Sequence, residues 1–140
     1  MWMRLMFGLA VLAVAVVPAA VAAQMTAPQA SGRTVASFYS PSHNLGCEMD
    51  DRRAGVPNEV YCQSVKAPHS VRLGLDGRLK ICRGDRCLGN AGENTPTLGY
   101  GKQITVGRFR CFSLRAGVKC IVIRTGKGFL IDKVGVRRVG

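Results

Sequence analysis

The chain lacks any sustained helical period, and this argues against a helical fold. It lacks a phosphate-binding loop. Gly101-Lys102 is followed by Gln103 and Gly126-Lys127 by Gly128, where such a loop needs Ser or Thr, and Pro96 and Ile121 stand where it needs its first Gly. No G-x-S-x-G nucleophile elbow occurs. Histidine is scarce, with only His43 and His69 in 140 residues. Cys82 and Cys87 are close to zinc-ligand spacing, but no histidine or second close cysteine pair completes a four-ligand set, so no metal and no cofactor is expected. Acid is scarce too, 8 Asp and Glu against 20 Lys and Arg. The adjacent carboxylates Asp50 and Asp51 fall in a polar hairpin tip and read as a solvated turn.

What is present is an export signal followed by six cysteines. Arg4 supplies a charged start, Leu5 to Val17 an apolar run interrupted only by Gly8, Pro18 a helix break, and Ala19-Ala20-Val21-Ala22-Ala23 small residues for a peptidase. Residues 1–23 are therefore expected to be removed. The competing interpretation is an uncleaved membrane helix, since the apolar run is just long enough to span; Pro18 and the alanine-rich end favour cleavage. No cysteine lies near this point, which argues against a lipoprotein anchor. Residues 24–34 have the composition of a disordered leader. Residues 35–140 then form a single disulfide-rich domain, large enough to bury a core. The expected location is periplasmic, cell-envelope or extracellular.

Charge is segregated. Gln24 to Ser70 carries four basic and four acidic residues, whereas Val71 to Gly140 carries fifteen basic and four acidic. A field of this sign attracts an anionic cell-wall polymer, an anionic lipid surface, a protein of opposite charge or, less favoured, nucleic acid; equally, it keeps an exported protein soluble.

Short β-branched or aromatic runs alternate with turn residues, the pattern of an all-β sandwich or small barrel of antiparallel hairpins. Expected strands are Val35–Tyr39, Leu45–Met49, Glu59–Val65, Val71–Leu75, Leu79–Arg83, Arg86–Leu88, Gln103–Val106, Arg108–Ser113, Val118–Arg124 and Gly128–Lys133. Gly89 to Gly101 is the longest irregular stretch, either functional or packed over the core.

The cysteines fall into three successive pairs. A Gly84-Asp85 turn of type II′ would set Cys82 against Cys87. A four-residue loop Leu114–Gly117 would set Cys111 against Cys120, leaving Cys47 and Cys62 to close a larger hairpin. Six cysteines permit 15 connectivities, so sequential pairing rests on turn geometry. The Cys111–Cys120 register sends Phe109, Cys111, Ser113, Val118, Cys120 and Val122 to one face, as a core set. The other face carries Arg108, Arg110, Phe112, Lys119, Ile121 and Ile123, cations interleaved with apolar groups that suit an anionic polymer or a protein. The bland alternative buries both faces, with the Arg stems reaching out at the edge.

The segment Phe38-Tyr39-Ser40-Pro41-Ser42-His43-Asn44-Leu45-Gly46-Cys47 resembles a motif of a family of small exported bacterial proteins rich in disulfides. Val60-Tyr61-Cys62, Cys82-Arg83-Gly84-Asp85, Leu98-Gly99-Tyr100-Gly101 and the C-terminal Gly107-to-Cys120 and Gly126-Lys127-Gly128-Phe129 steps follow in the family's order, over roughly residues 35–133. The family's function is not established. The resemblance implies an exported disulfide-rich β domain and no catalytic residues. His43 departs from the pattern, which has Gly at that position.

The function expected is a non-enzymatic envelope or extracellular binding module. One alternative is a small secreted hydrolase of nuclease type: His43 and His69 could serve as acid and base, with Lys and Arg for the phosphate. Both histidines sit beside Pro or Ser in turn-like stretches, as surface loop histidines do. Another alternative is a purely structural envelope protein.

Overall fold

The computed structural model describes residues 32–90, 92 and 94–140. Residues 1–23, expected as an export signal, and residues 24–31 of the expected leader lie outside the described residues. Strands β1 (Val35–Tyr39), β2 (Leu45–Asp50), β3 (Glu59–Ser64), β4 (His69–Gly74) and β5 (Leu79–Arg83) form one antiparallel sheet, paired in chain order. Strands β6 (Gln103–Val106), β7 (Phe109–Leu114), β8 (Gly117–Val122), β9 (Gly128–Ile131) and β10 (Val136–Val139) form a second. The fold is all-β, with no α-helix among the described residues. Of the two expected architectures it is the sandwich: each sheet ends in two edge strands instead of closing into a barrel.

Alternation makes the core. Phe38, Met49, Val60 and Leu73 from the first sheet meet Val106, Phe109, Val118, Phe129 and Ile131 from the second in one buried cluster. Each sheet has a disulfide between its second and third strands. Cys47 is directly opposite Cys62, and Cys111 directly opposite Cys120, each with Cα atoms 4.1 Å apart. The two bridges meet at the centre of the sandwich, where the sulfurs of Cys62 and Cys120 are 3.9 Å apart. Neither sulfur carries a hydrogen, so this is a van der Waals contact between two apolar staples. The third bridge joins Cys82 and Cys87, and no cysteine is free. Three closed disulfides belong to an oxidising environment. No helix among the described residues is long and apolar enough to cross a membrane.

The bridge Cys82–Cys87 is not the staple of a hairpin. Residues Asp85–Cys87 form a 3-10 turn instead of the expected strand Arg86–Leu88. Gly84 has φ 101° and ψ 170°, a conformation essentially reserved for glycine, and it turns the chain off the edge of β5. The Tyr61 hydroxyl holds the turn against the outer face of the first sheet, 2.6 Å from the Cys87 carbonyl and accepting the Gly89 N–H at 3.0 Å.

Most other strand boundaries differ by one or two residues, and three differences bear on the fold. β4 begins at His69, because Ser64 pairs with it across the short β3–β4 turn. Leu114 pairs with Gly117, so the β7–β8 loop is the two residues Arg115-Ala116, with the cysteine register unchanged. β10 was not expected at all; its two central arginines sit on an edge strand, where charge is tolerated. Between the two sheets, Pro96–Leu98 packs down on β1. Tyr39 N–H donates to the Pro96 carbonyl and Leu98 N–H to the Tyr39 carbonyl, both at 2.8 Å, so the segment covers the open edge of β1.

Candidate functional site

The outer face of the second sheet presents two cross-strand rows. One runs Gln103, Phe112, Lys119, Leu130, Arg137 and the other Thr105, Arg110, Ile121, Gly128, Val139. Three of the four residues expected to form a basic, partly aromatic face lie here. The Lys119 ammonium sits 4.9 Å from the centre of the Phe112 ring, and the Arg110 Nε donates to Thr105 Oγ1 at 3.1 Å. Both cations are half-buried along their stems, and neither has a carboxylate within 4.0 Å among the described residues. On the first sheet Arg53 is paired with Glu48 and Asp50 and Arg72 with Glu59, while Lys80 and Arg83 on the edge strand β5 have no carboxylate within 4.0 Å among the described residues.

Arg108 belongs to a different construction. It lies in the two-residue β6–β7 turn and is ion-paired with Asp51 of the first sheet. The Asp51 carboxylate also accepts the Arg108 backbone N–H at 2.7 Å and its Nε at 3.0 Å. Asp51 is therefore no solvated turn residue; it is 1% exposed. The Arg108 guanidinium bonded to it holds its carboxyl below the ordinary value of 3.8, against the opposing push of burial. Gly107 makes this approach possible. Its φ is +51°, and a Cβ there would run into the Asp51 carboxylate. Asp50 is also buried, within 3.0 Å of Arg53.

A cleft of about 440 Å³ opens at the β7–β8 end of the sandwich, lined by Ser40, Ser42, Lys66, Tyr100, Arg115, Asp132 and Lys133 among others. A second open cleft, about 510 Å³, lies along the β5 and β10 edges with Lys80, Lys127 and Arg138. A crevice under the Gly89 segment, about 30 Å³, has room for little more than water.

The two histidines do not meet in any of these clefts. His43 stacks on Tyr39 with ring centres 5.2 Å apart, its Nε2 2.9 Å from Thr97 Oγ1. Its φ of 55° is left-handed, a conformation in which glycine would be unstrained. His69, expected at the surface, is 3% exposed on β4; its Nδ1 lies 2.6 Å from the Ala67 carbonyl and its Nε2 has no partner. The sulfurs of Cys47, Cys62 and Cys120 lie within 4.8 Å of one another, a spacing that would suit a metal if they were thiolates. Locked in disulfides, they offer no thiolate ligand.

No protein-family model matches the chain, and neither the curated proteins nor the solved structures return a match to it.

Proposed function

We propose that this is a non-enzymatic binding module of the cell envelope or extracellular space, exported by its N-terminal signal, which takes an anionic polymer across the outer face of the second sheet. The observation that supports this most is the pairing of the cations on the inner strands of each sheet. Every ion pair among the described residues is made by an arginine, and none of the six lysines takes part. Arg72, on β4 of the first sheet, is spent on Glu59; on the adjacent strands β7 and β8 at the middle of the second, Arg110 and Lys119 keep their charge beside Phe112 and Ile121. A cation with no internal partner loses little when an external anion arrives, and releasing counterions from the polymer favours the complex. A nuclease would need His43 and His69 to converge on one phosphate, and one is stacked at the surface while the other is sealed in the core.

The test is retention of the folded domain on immobilised dextran sulfate in a salt gradient. The double variant Arg110→Glu, Lys119→Glu should elute at markedly lower salt than the parent. Arg108 is left intact, since changing it would also break its tie to Asp51. Unchanged elution would end the assignment to this face.

A further inference from the structure

The end cleft is built from turns of both sheets. The Ser40–Asn44 loop and the β3–β4 turn come from the first; Tyr100, the β7–β8 turn and the β9–β10 turn come from the second half of the chain. Its volume lies in the range of small-ligand pockets, which run to about 300–1,000 Å³. Lys66, Arg115 and Lys133 line it, and none has a carboxylate within 4.0 Å among the described residues. The single carboxylate in the lining, Asp132, is already engaged. Its Oδ1 accepts the Val134 N–H at 2.7 Å and the Gly135 N–H at 3.0 Å, and its Oδ2 lies 3.7 Å from the Arg137 guanidinium.

The walls are held in place before any ligand arrives. Asn44 is buried, donates its Nδ2 to Ser64 Oγ at 3.1 Å and accepts the Lys66 backbone N–H on Oδ1 at 2.7 Å. That second bond pins the backbone of Lys66 to the serine loop. Ser40 and Ser42 share a hydroxyl–hydroxyl bond of 3.1 Å. The Arg115 guanidinium lies over the Tyr100 ring at 4.9 Å. Such a contact uses the face of the guanidinium and leaves its in-plane N–H donors for an anion. Cations, hydroxyls and a half-exposed aromatic edge on rigid turns are the complement of a sugar that carries a negative group.

We propose that this end cleft binds one anionic group of a sugar-type unit, with Lys66, Arg115 and Lys133 receiving the charge and Ser42 and Tyr100 meeting the hydroxylated body. The site is separate from the outer face of the second sheet and stands whether or not that face binds polymer.

Titration of the folded domain, followed by backbone amide shifts, tests it with three probes: glucuronic acid, glucose 6-phosphate and uncharged glucose. Saturable shifts at Lys66, Gly117, Asp132 and Val134 are expected with a charged sugar and not with glucose. A response to the uronate alone assigns a carboxylate ligand, to the phosphate alone a phosphorylated one; either supports the site. The variant Lys66→Ala, Lys133→Ala removes two exposed side chains that make no internal bonds, and it should weaken binding by roughly tenfold or more. The variant Arg110→Glu, Lys119→Glu should leave it unchanged. No saturable shift with either charged probe, equal binding of glucose, an unaffected lysine variant, or equal weakening in both variants would each overturn the proposal.

Discussion

Asp51 and Arg108, 57 residues apart in the chain, form the one charge pair that ties the two sheets together among the described residues. The carboxylate is sealed from water while the guanidinium remains partly open, so the bond is asymmetric: Asp51 depends on its partner more than Arg108 does.

Asp51→Ala leaves the Arg108 backbone N–H without its acceptor and should cost roughly 2 kcal/mol or more, read from urea melts. The pH dependence follows from the lowered carboxyl. A carboxylate depressed in the folded state contributes stability above its ordinary value of 3.8, and that contribution is lost as pH falls through the lower folded value. The parent should therefore lose stability steeply below about pH 4, and Asp51→Asn should flatten that slope. An equal acid slope in both proteins would contradict the assignment.

Gly107→Ala should destabilise by more than the ordinary cost of a left-handed alanine, about 1 kcal/mol, because its Cβ also displaces the Asp51 carboxylate. In the double variant with Asp51→Ala that excess should shrink, leaving only the close approach to the Cβ of residue 51 at 2.9 Å. Thermal melts of the four proteins of the cycle measure it, and full additivity would count against the contact.

His43 sits at φ 55° yet has two partners, the Tyr39 ring and Thr97. His43→Gly trades those contacts for backbone ease and should stay within about 1 kcal/mol of the parent. His43→Ile loses both, and β-branching makes the left-handed backbone costly, so it should be distinctly less stable. Denaturant midpoints of the two variants decide the order.

The disulfides should separate by access. Cys47–Cys62 and Cys111–Cys120 are sealed in the core, while Cys82 is partly open at the edge of the first sheet. Under native conditions a thiol reductant followed by alkylation and mass spectrometry should label Cys82 and Cys87 first. Losing the central bridges should coincide with unfolding, since closing a 15-residue loop contributes about 3 kcal/mol in the chain-entropy model. Labelling all six cysteines at one rate would contradict the layout.

Much of this frame was legible before the structure. Alternation around Cys111 and Cys120 set both the register and the two faces, because strict period-2 hydrophobicity leaves one way to bury Phe109 and Val122 together. All three sequential bridges formed, but only Cys111–Cys120 for the local reason given: Cys47–Cys62 followed by elimination, and Cys82–Cys87 closes a 3-10 turn where a hairpin was expected. What stayed hidden was mostly non-local. Nothing near Asp51 in sequence announces Arg108, and an Asp-Asp pair in a polar tip looks solvated until the second sheet closes over it. β10 carries two central arginines, so its strand character shows only once it lies on an edge. The end cleft joins segments from residue 40 to residue 134, and no single one of them carries a ligand signature.

In the proposed function, the unpaired cations beside Phe112 on the second sheet, rather than net charge at large, select an anionic polymer. Mapping amide shifts of the folded domain on addition of short dextran sulfate tests this most directly. Shifts should cluster on Gln103, Arg110, Phe112, Lys119 and Ile121 and collapse as salt rises. Shifts spread evenly over Arg52, Arg78, Arg83 and the other exposed cations, or no shifts at all, would contradict it.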